Sequence, residues 1–286
     1  MAFWIVSNIV LNTLIGLSFS KDWTKYGETV MYNLSYVTEI PQRNKLVTIP
    51  QKTTDGLYKK IHRQPSVLDC LSLYEMGYAE DGVYVIQPSE GVNIDVWCDM
   101  SNGGWTVIQR RQDGSVDFYR GWDEYVDGFG ITTGEFWLGL KYINILTTIS
   151  CELYIEMETF EHDNVSPASA FAEYSTFKVN GESDEYRLSV SGYNGNCADS
   201  FSNHNGWKFS TFDNDNDETG SGNCAVDYNG AWWYRACHAC NLNGLYLGGS
   251  NTEYGKGITW SACWGQKYSL KRSVMKIHRK TGKRKV

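Results

Sequence analysis

No apolar run in this chain is long and clean enough to cross a membrane. The best, Phe3 to Phe19, is broken by Asn8 and Asn12, whereas a spanning helix needs about 20 apolar residues. A fold-wide basic face is also missing. The formal net charge is −7, and positive charge gathers only at the end, from Lys276 to Lys285. Nucleic acid is therefore excluded as the main partner, and the basic end reads as a solvated terminus. The chain contains no HExxH, GxSxG, P-loop or Gly-rich dinucleotide motif, so nothing points to an enzyme. Between residues 21 and 64 there is no cysteine, no Gly-X-Y repeat and no sustained heptad, and Pro41 and Pro50 interrupt the stretch. That excludes a collagen or coiled-coil stalk there and leaves a linker or leader.

What is present belongs to an oxidising compartment. The apolar run ends in Ser18-Phe19-Ser20, a small-x-small pattern that suits signal-peptide cleavage before Lys21. Residues 1–20 are read as that signal, and the product as secreted and extracellular. Eight cysteines then read as disulfides. Sequons at Asn33-Leu34-Ser35 and Asn164-Val165-Ser166 fit a secreted glycoprotein. Aromatic residues make up 14%, with 11 Trp and 19 Tyr. Their flat apolar faces and polar handles suit sugar rings and protein surfaces, and many must also close a loop-rich core.

From Cys70 the texture becomes periodic. Val92–Cys98, Gly104–Arg111, Cys151–Thr159, Ala172–Val179 and Glu185–Val190 alternate as strands do. Asp99 to Gly103 is a turn. Thr132-x-x-Glu135 has the form of a capping box and predicts a helix over 136–146. After Tyr193, Gly, Asn and Asp dominate, and a loop-rich half of this kind must be tied by staples or ions.

The densest segment runs from Asp213 to Gly244 (DNDNDETGSGNCAVDYNGAWWYRACHACNLNG). Asp213, Asp215 and Asp217 alternate with Asn214 and Asn216, and clustered short carboxylates repel unless a cation neutralises them. Ca²⁺ prefers oxygen ligands of this kind. An EF-hand would want Gly at the sixth position and Glu at the twelfth. Those positions hold Glu218 and Cys224, so that motif is rejected. Cys237-His238-Ala239-Cys240 spells C-x-x-C. A redox or zinc role would need a reducing compartment or a fourth thiolate, and neither is indicated.

In order and wording, these motifs resemble the fibrinogen C-terminal domain, the module shared by ficolins, tachylectins, tenascins and angiopoietins. They are Asp69-Cys70, Trp97-Cys98-Asp99-Met100, GGWTVIQRRQDGS (Gly103–Ser115), EFWLGL (Glu135–Leu140), FSTFDNDND (Phe209–Asp217), GAWWYRACH (Gly230–His238), NLNGLY (Asn241–Tyr246) and YSLK (Tyr268–Lys271). The resemblance places such a domain at 65–280, followed by a basic tail, 281–286. It implies an α+β fold: a small disulfide-tied β unit, a central antiparallel sheet with flanking helices, and a loop-rich calcium and ligand region. It implies the bridges Cys70–Cys98 and Cys224–Cys237. Cys151, Cys197, Cys240 and Cys263 lie outside the usual positions and allow three pairings, at least one of them bracing the ligand region.

The same resemblance implies a Ca²⁺ held by the side chains of Asp215 and Asp217 and the carbonyls of Thr219 and Ser221. The loop from Asp213 to Cys224 is one residue longer than is usual in the family, which would move the carbonyl ligands to Gly220 or Gly222. An acetyl group would enter an aromatic recess beside this site, formed by Tyr234, Cys237, His238, Tyr254 and Gly255, with a cis Ala236–Cys237 peptide. Two functions remain open. One is a secreted, calcium-dependent lectin of innate immunity that recognises acetylated carbohydrates on microbial surfaces. The other is an extracellular protein-binding ligand, matrix component or adhesion factor on the same scaffold. A single weak sugar site gains useful avidity only by repetition, so a homo-oligomer is expected, formed through the globular domain or the leader.

Overall fold

A computed structural model describes residues 67–149, 151–166 and 168–280. The expected signal and leader, the Asn33 sequon and the expected basic tail lie outside these residues. In chain order the helices are α1 (Cys70–Glu75), α2 (Trp122–Asp127), α3 (Leu140–Leu146), α4 (Cys224–Asp227) and α5 (Ser261–Trp264). The strands are β1 (Gly82–Ser89), β2 (Val92–Asp99), β3 (Trp105–Arg111), β4 (Phe129–Gly130), β5 (Phe136–Trp137), β6 (Cys151–Glu158), β7 (Ser169–Val179), β8 (Leu188–Gly195), β9 (Cys240–Asn241), β10 (Gly249–Ser250), β11 (Thr259–Trp260), β12 (Tyr268–Ser269) and β13 (Arg272–Arg279). The order β1-β2-β3-β13-β6-β7-β8, with β5 paired to β3 and β4 paired to β5, makes one antiparallel sheet. The fold is α+β, as expected.

Period-two alternation produces the inner face. In β6, Cys151, Leu153, Ile155 and Met157 are buried while the residues between them are half-buried. The final strand β13 inserts between β3 and β6. It closes the fold by bringing Met275 and Ile277 into the core. The small N-terminal unit is fastened at two points. Asp69 caps α1 by accepting the Ser72 N–H at 2.8 Å and accepts Arg279 Nε at 2.8 Å. Cys70 is bonded to Cys98.

Two local expectations are corrected. The stretch 136–146 is not one helix: β5 occupies Phe136–Trp137 and α3 begins at Leu140. Glu135 does not complete a capping box. Its carboxylate accepts the N–H groups of Gln112 (2.8 Å), Asp113 (3.2 Å), Gly114 (3.1 Å) and Val116 (3.0 Å). Four donors on one buried carboxylate outweigh a single local cap. Glu185–Arg187 is not strand either. Asp184 receives Arg187 Nε and Asn180 Nδ2, and this turn leaves Glu185 and Tyr186 at φ 43° and 51°. Pairing with β7 starts at Leu188.

The irregular region is fastened to the sheet by buried polar side chains of β3. Gln109 Nε2 donates to the Leu242 carbonyl at 3.0 Å. Arg111 donates to the carbonyls of Leu242 (3.2 Å) and Gly244 (2.7 Å). Burial pulls the Arg111 guanidinium down to about 10, yet Glu135 at 3.7 Å keeps it charged at neutral pH. Trp137, Phe209, Trp232 and Trp233 are fully buried against one another. All three aromatics of the Trp-Trp-Tyr run are core, Tyr234 being fully buried as well.

Candidate functional site

The carboxylate loop is organised by its own acids. Asp213 accepts the Trp122 N–H at 2.9 Å and the Thr211 hydroxyl at 2.6 Å, which ties the loop to the start of α2. Asp215 accepts the Asp217 N–H at 3.1 Å. One oxygen of Asp217 accepts both the N–H (2.8 Å) and the hydroxyl (2.6 Å) of Thr219, and the other accepts the Cys224 N–H at 2.7 Å. The Thr219 carbonyl accepts the Ser221 N–H at 2.8 Å. Burial, together with the Asp217 charge, pushes the Asp215 carboxyl up. Two carboxylates crowded in this way, among hard oxygen donors, fit a Ca²⁺ ion. No cluster of three or more His, Cys, Asp or Glu side chains suited to a metal occurs among the described residues. A cation here would thus complete its shell from backbone carbonyls and water.

This loop is laced to a second feature. The Glu218 N–H donates to the Arg235 carbonyl at 3.0 Å, and the Arg235 N–H donates to the Cys237 carbonyl at 2.9 Å. Cys237 is bonded to Cys224, and the Ala236–Cys237 peptide is cis. The next residue, His238, is the centre of a recess. Its ring meets Tyr228 edge-on at 4.6 Å and lies 5.8 Å from Tyr234. Both imidazole nitrogens are buried without a hydrogen-bond partner of good geometry, although the Gly255 backbone comes near enough to interact with the ring. Burial and the neighbouring His204 pull the imidazole down to about 3, so it is neutral at physiological pH.

Gly255 packs against this ring pair. Its φ is +74°, and a Cβ there would come within 2.6 Å of Tyr228 Cε1 and 3.1 Å of His238 Nε2. Only glycine allows that approach. Tyr254 is 59% exposed. Tyr234 is fully buried, and its hydroxyl donates to Asn241 Oδ1 at 2.9 Å. It supports the recess from behind, and the half-buried Tyr228 meets the imidazole edge instead.

Three residues that sequence reasoning passed over hold this arrangement. Tyr228 supplies the aromatic neighbour. Asn241 receives Tyr234 and reaches toward the carbonyls of Tyr228 (3.4 Å) and Gly255 (3.3 Å). Gln266 Nε2 donates to the His238 carbonyl at 3.0 Å, and its own carbonyl accepts the Gly255 N–H at 2.7 Å. Asn241 lies inside a quoted motif, and that was its only signal. Behind the recess, His204 Nδ1–H donates to the Trp233 carbonyl at 2.7 Å. Its Nε2 accepts the N–H groups of Ala239 (3.3 Å) and Cys240 (3.4 Å).

Of the four extra cysteines, Cys197 and Cys263 are bonded, whereas Cys151 and Cys240 are free and buried. The expectation of two further bridges is thus corrected to one, in the ligand region. Cys240 is enclosed on β9 and Cys151 starts β6.

Residues 66–280 match the family model of the C-terminal globular domain of fibrinogen beta and gamma chains. The chain belongs to the fibrinogen C-terminal domain family. It is 48% identical over 217 residues to human fibrinogen C domain-containing protein 1, covering 73% of this chain and 46% of that protein. It is 46% identical over 235 residues to mouse microfibril-associated glycoprotein 4, covering 79% and 88%. The match thus spans about half the length of the first relative and most of the second. Among solved structures, the fibrinogen-like globe domain of human ANGPTL2 superposes with a TM-score of 0.70 at 43% identity, covering 76% of this chain and all of that one. Lamprey fibrin D-dimer, solved with the peptide Gly-His-Arg-Pro-amide, gives 0.69 at 35% identity, covering 78% of each chain. No helix among the described residues of this fibrinogen C-terminal domain is long and apolar enough to cross a membrane.

Proposed function

We propose that this fibrinogen C-terminal domain acts outside the cell as a calcium-dependent, lectin-like recognition module for acetylated glycans, a binding protein without catalytic chemistry. The observation that carries the reading is the His238 imidazole. Two unpartnered polar atoms, buried between Tyr228 and Gly255, suit an acetamido group. The aromatic edge takes the methyl, and the ring takes a polar atom. Unpaired buried nitrogens cost free energy in the unliganded protein, and a ligand recovers it.

Calcium would be held by Asp215 and Asp217, with carbonyls of the 219–222 segment. When bound it would neutralise the paired carboxylates. The residues themselves transmit order to the recess through Asp217 to Cys224 and through Glu218 and Arg235 to Cys237. Avidity at a glycan-bearing surface would come from self-association of several domains.

The test is retention on an N-acetylglucosamine resin in Ca²⁺, with elution by acetate or EDTA. Retention lost in His238→Ala and in Tyr254→Ala supports the reading. Undiminished retention of both variants contradicts it. The peptide bound to lamprey fibrin D-dimer favours a second reading, recognition of an extracellular protein or peptide in the same region. It takes over if the folded, calcium-loaded protein ignores every acetylated compound yet binds a peptide.

A further inference from the structure

Gln266 is half used. The His238 carbonyl can only accept, so Nε2 of the Gln266 carboxamide must face it, as the 3.0 Å contact shows. Oε1 is left on the other side, buried and without a partner. Gln266 reaches the recess at two points, through Nε2 to the His238 carbonyl and through its backbone carbonyl to the Gly255 N–H. Gln266 is not free to swing away. Its own carbonyl holds the Gly255 N–H at 2.7 Å. It also follows α5, which carries Cys263 of the Cys197–Cys263 bridge.

A fixed, buried acceptor with nothing to accept is a selective element. A ligand that brings an N–H satisfies it, and a ligand with oxygen at that place leaves it unpaired and adds a second lone pair. Sites built to hydrogen-bond a group discriminate strongly against the analogue that lacks it. We propose that Gln266 is a specificity-determining residue of the recess, accepting an N–H from the ligand so that the domain selects N-acetyl groups over O-acetyl groups. This rests on the acetyl-binding reading above and narrows its ligand class.

The test uses N-methylacetamide and methyl acetate, which differ by one N–H. Each is titrated into ¹⁵N-labelled, calcium-loaded protein and followed by shifts of the His238 and Gly255 amides. The expected result is a Kd roughly tenfold lower for the amide. In Gln266→Leu the two values should converge to within about twofold, with a lower thermal midpoint because the His238 carbonyl loses its donor, while calcium affinity stays unchanged. If the leucine variant does not fold, Gln266→Asn, which withdraws the oxygen by one methylene, should give the same convergence. Equal affinities in the parent protein, or a preference that survives in the variants, overturn this inference and leave the acetyl reading standing. Shifts with neither compound overturn both.

Discussion

The Asp217 carboxylate accepts the backbone N–H of Cys224 at 2.7 Å, so a candidate calcium ligand directly holds a half-cystine of the Cys224–Cys237 bridge. Its other oxygen holds Thr219. The loop and the recess are thus parts of one framework in which a single side chain sets the positions of both.

Removing that side chain exposes the framework. Asp217→Ala leaves the Thr219 and Cys224 N–H groups without their acceptor and should destabilise the domain by about 2–3 kcal/mol. Asp217→Asn keeps one acceptor oxygen and should cost less without calcium. It should also lose the rise in thermal midpoint that Ca²⁺ gives the parent protein. Differential scanning calorimetry with Ca²⁺ and with EDTA reads both effects. An equal calcium-dependent rise in the two proteins would remove Asp217 from the ion's ligands.

Acid should loosen the region through His204. Burial pulls its imidazole down to about 4, below the usual 6.5, so the folded state binds fewer protons than the unfolded one. The stability this neutral ring supports is fully present above about pH 6.5 and is lost as pH falls toward 4. The loss is on the order of 3 kcal/mol, because a protonated Nε2 would face the N–H groups of Ala239 and Cys240. His238 adds in the same direction over a wider range. Urea midpoints at pH 7, 5.5 and 4.5 should fall steadily, and His204→Gln should flatten the slope. A midpoint constant over this range would contradict the assignment.

The cysteines make a chemical prediction. Native protein should show almost no thiol reactive to Ellman's reagent, and denatured, unreduced protein should show two, Cys151 and Cys240. Burial pushes the Cys151 thiol up to about 12, which keeps it protonated and unreactive. The pair Cys197→Ser/Cys263→Ser should lower stability by about 2–4 kcal/mol and weaken ligand binding through Gln266. Full native reactivity of two thiols would contradict the observed burial.

Gly255→Ala is the sharpest backbone test. At φ +74°, with Tyr228 carbon 2.6 Å from the new methyl, the substitution should cost about 1–3 kcal/mol. It should displace the His238–Tyr228 pair as well. Near-ultraviolet circular dichroism and melting curves check it. Unchanged spectra and stability would mean that the close approach does not occur.

Much of this was legible in the chain. β2, β6 and β7 followed from period-two alternation, because each buries one face of the sheet; β3 alternates in sequence although both its faces are buried. β13 escaped notice because its outward face carries Lys276, which is itself buried between Asp99 and Glu156 and so breaks any polar-out pattern. The capping-box reading failed because Glu135 serves a loop twenty residues earlier, a tertiary use that no local pattern displays. The family's motifs located the carboxylate loop and His238. They did not reveal Asn241, Gln266 or Tyr228 as the residues that assemble the recess, since those roles exist only once distant segments meet. Cysteine pairing was open for the same reason.

The central claim is that an ion-braced loop sets a recess fit for an acetyl group. Isothermal titration of N-acetylglucosamine into the parent protein and into Asp215→Asn/Asp217→Asn, each with Ca²⁺ and with EDTA, tests it most directly. The account predicts measurable binding only for the parent protein in Ca²⁺. Equal binding under all four conditions would contradict it.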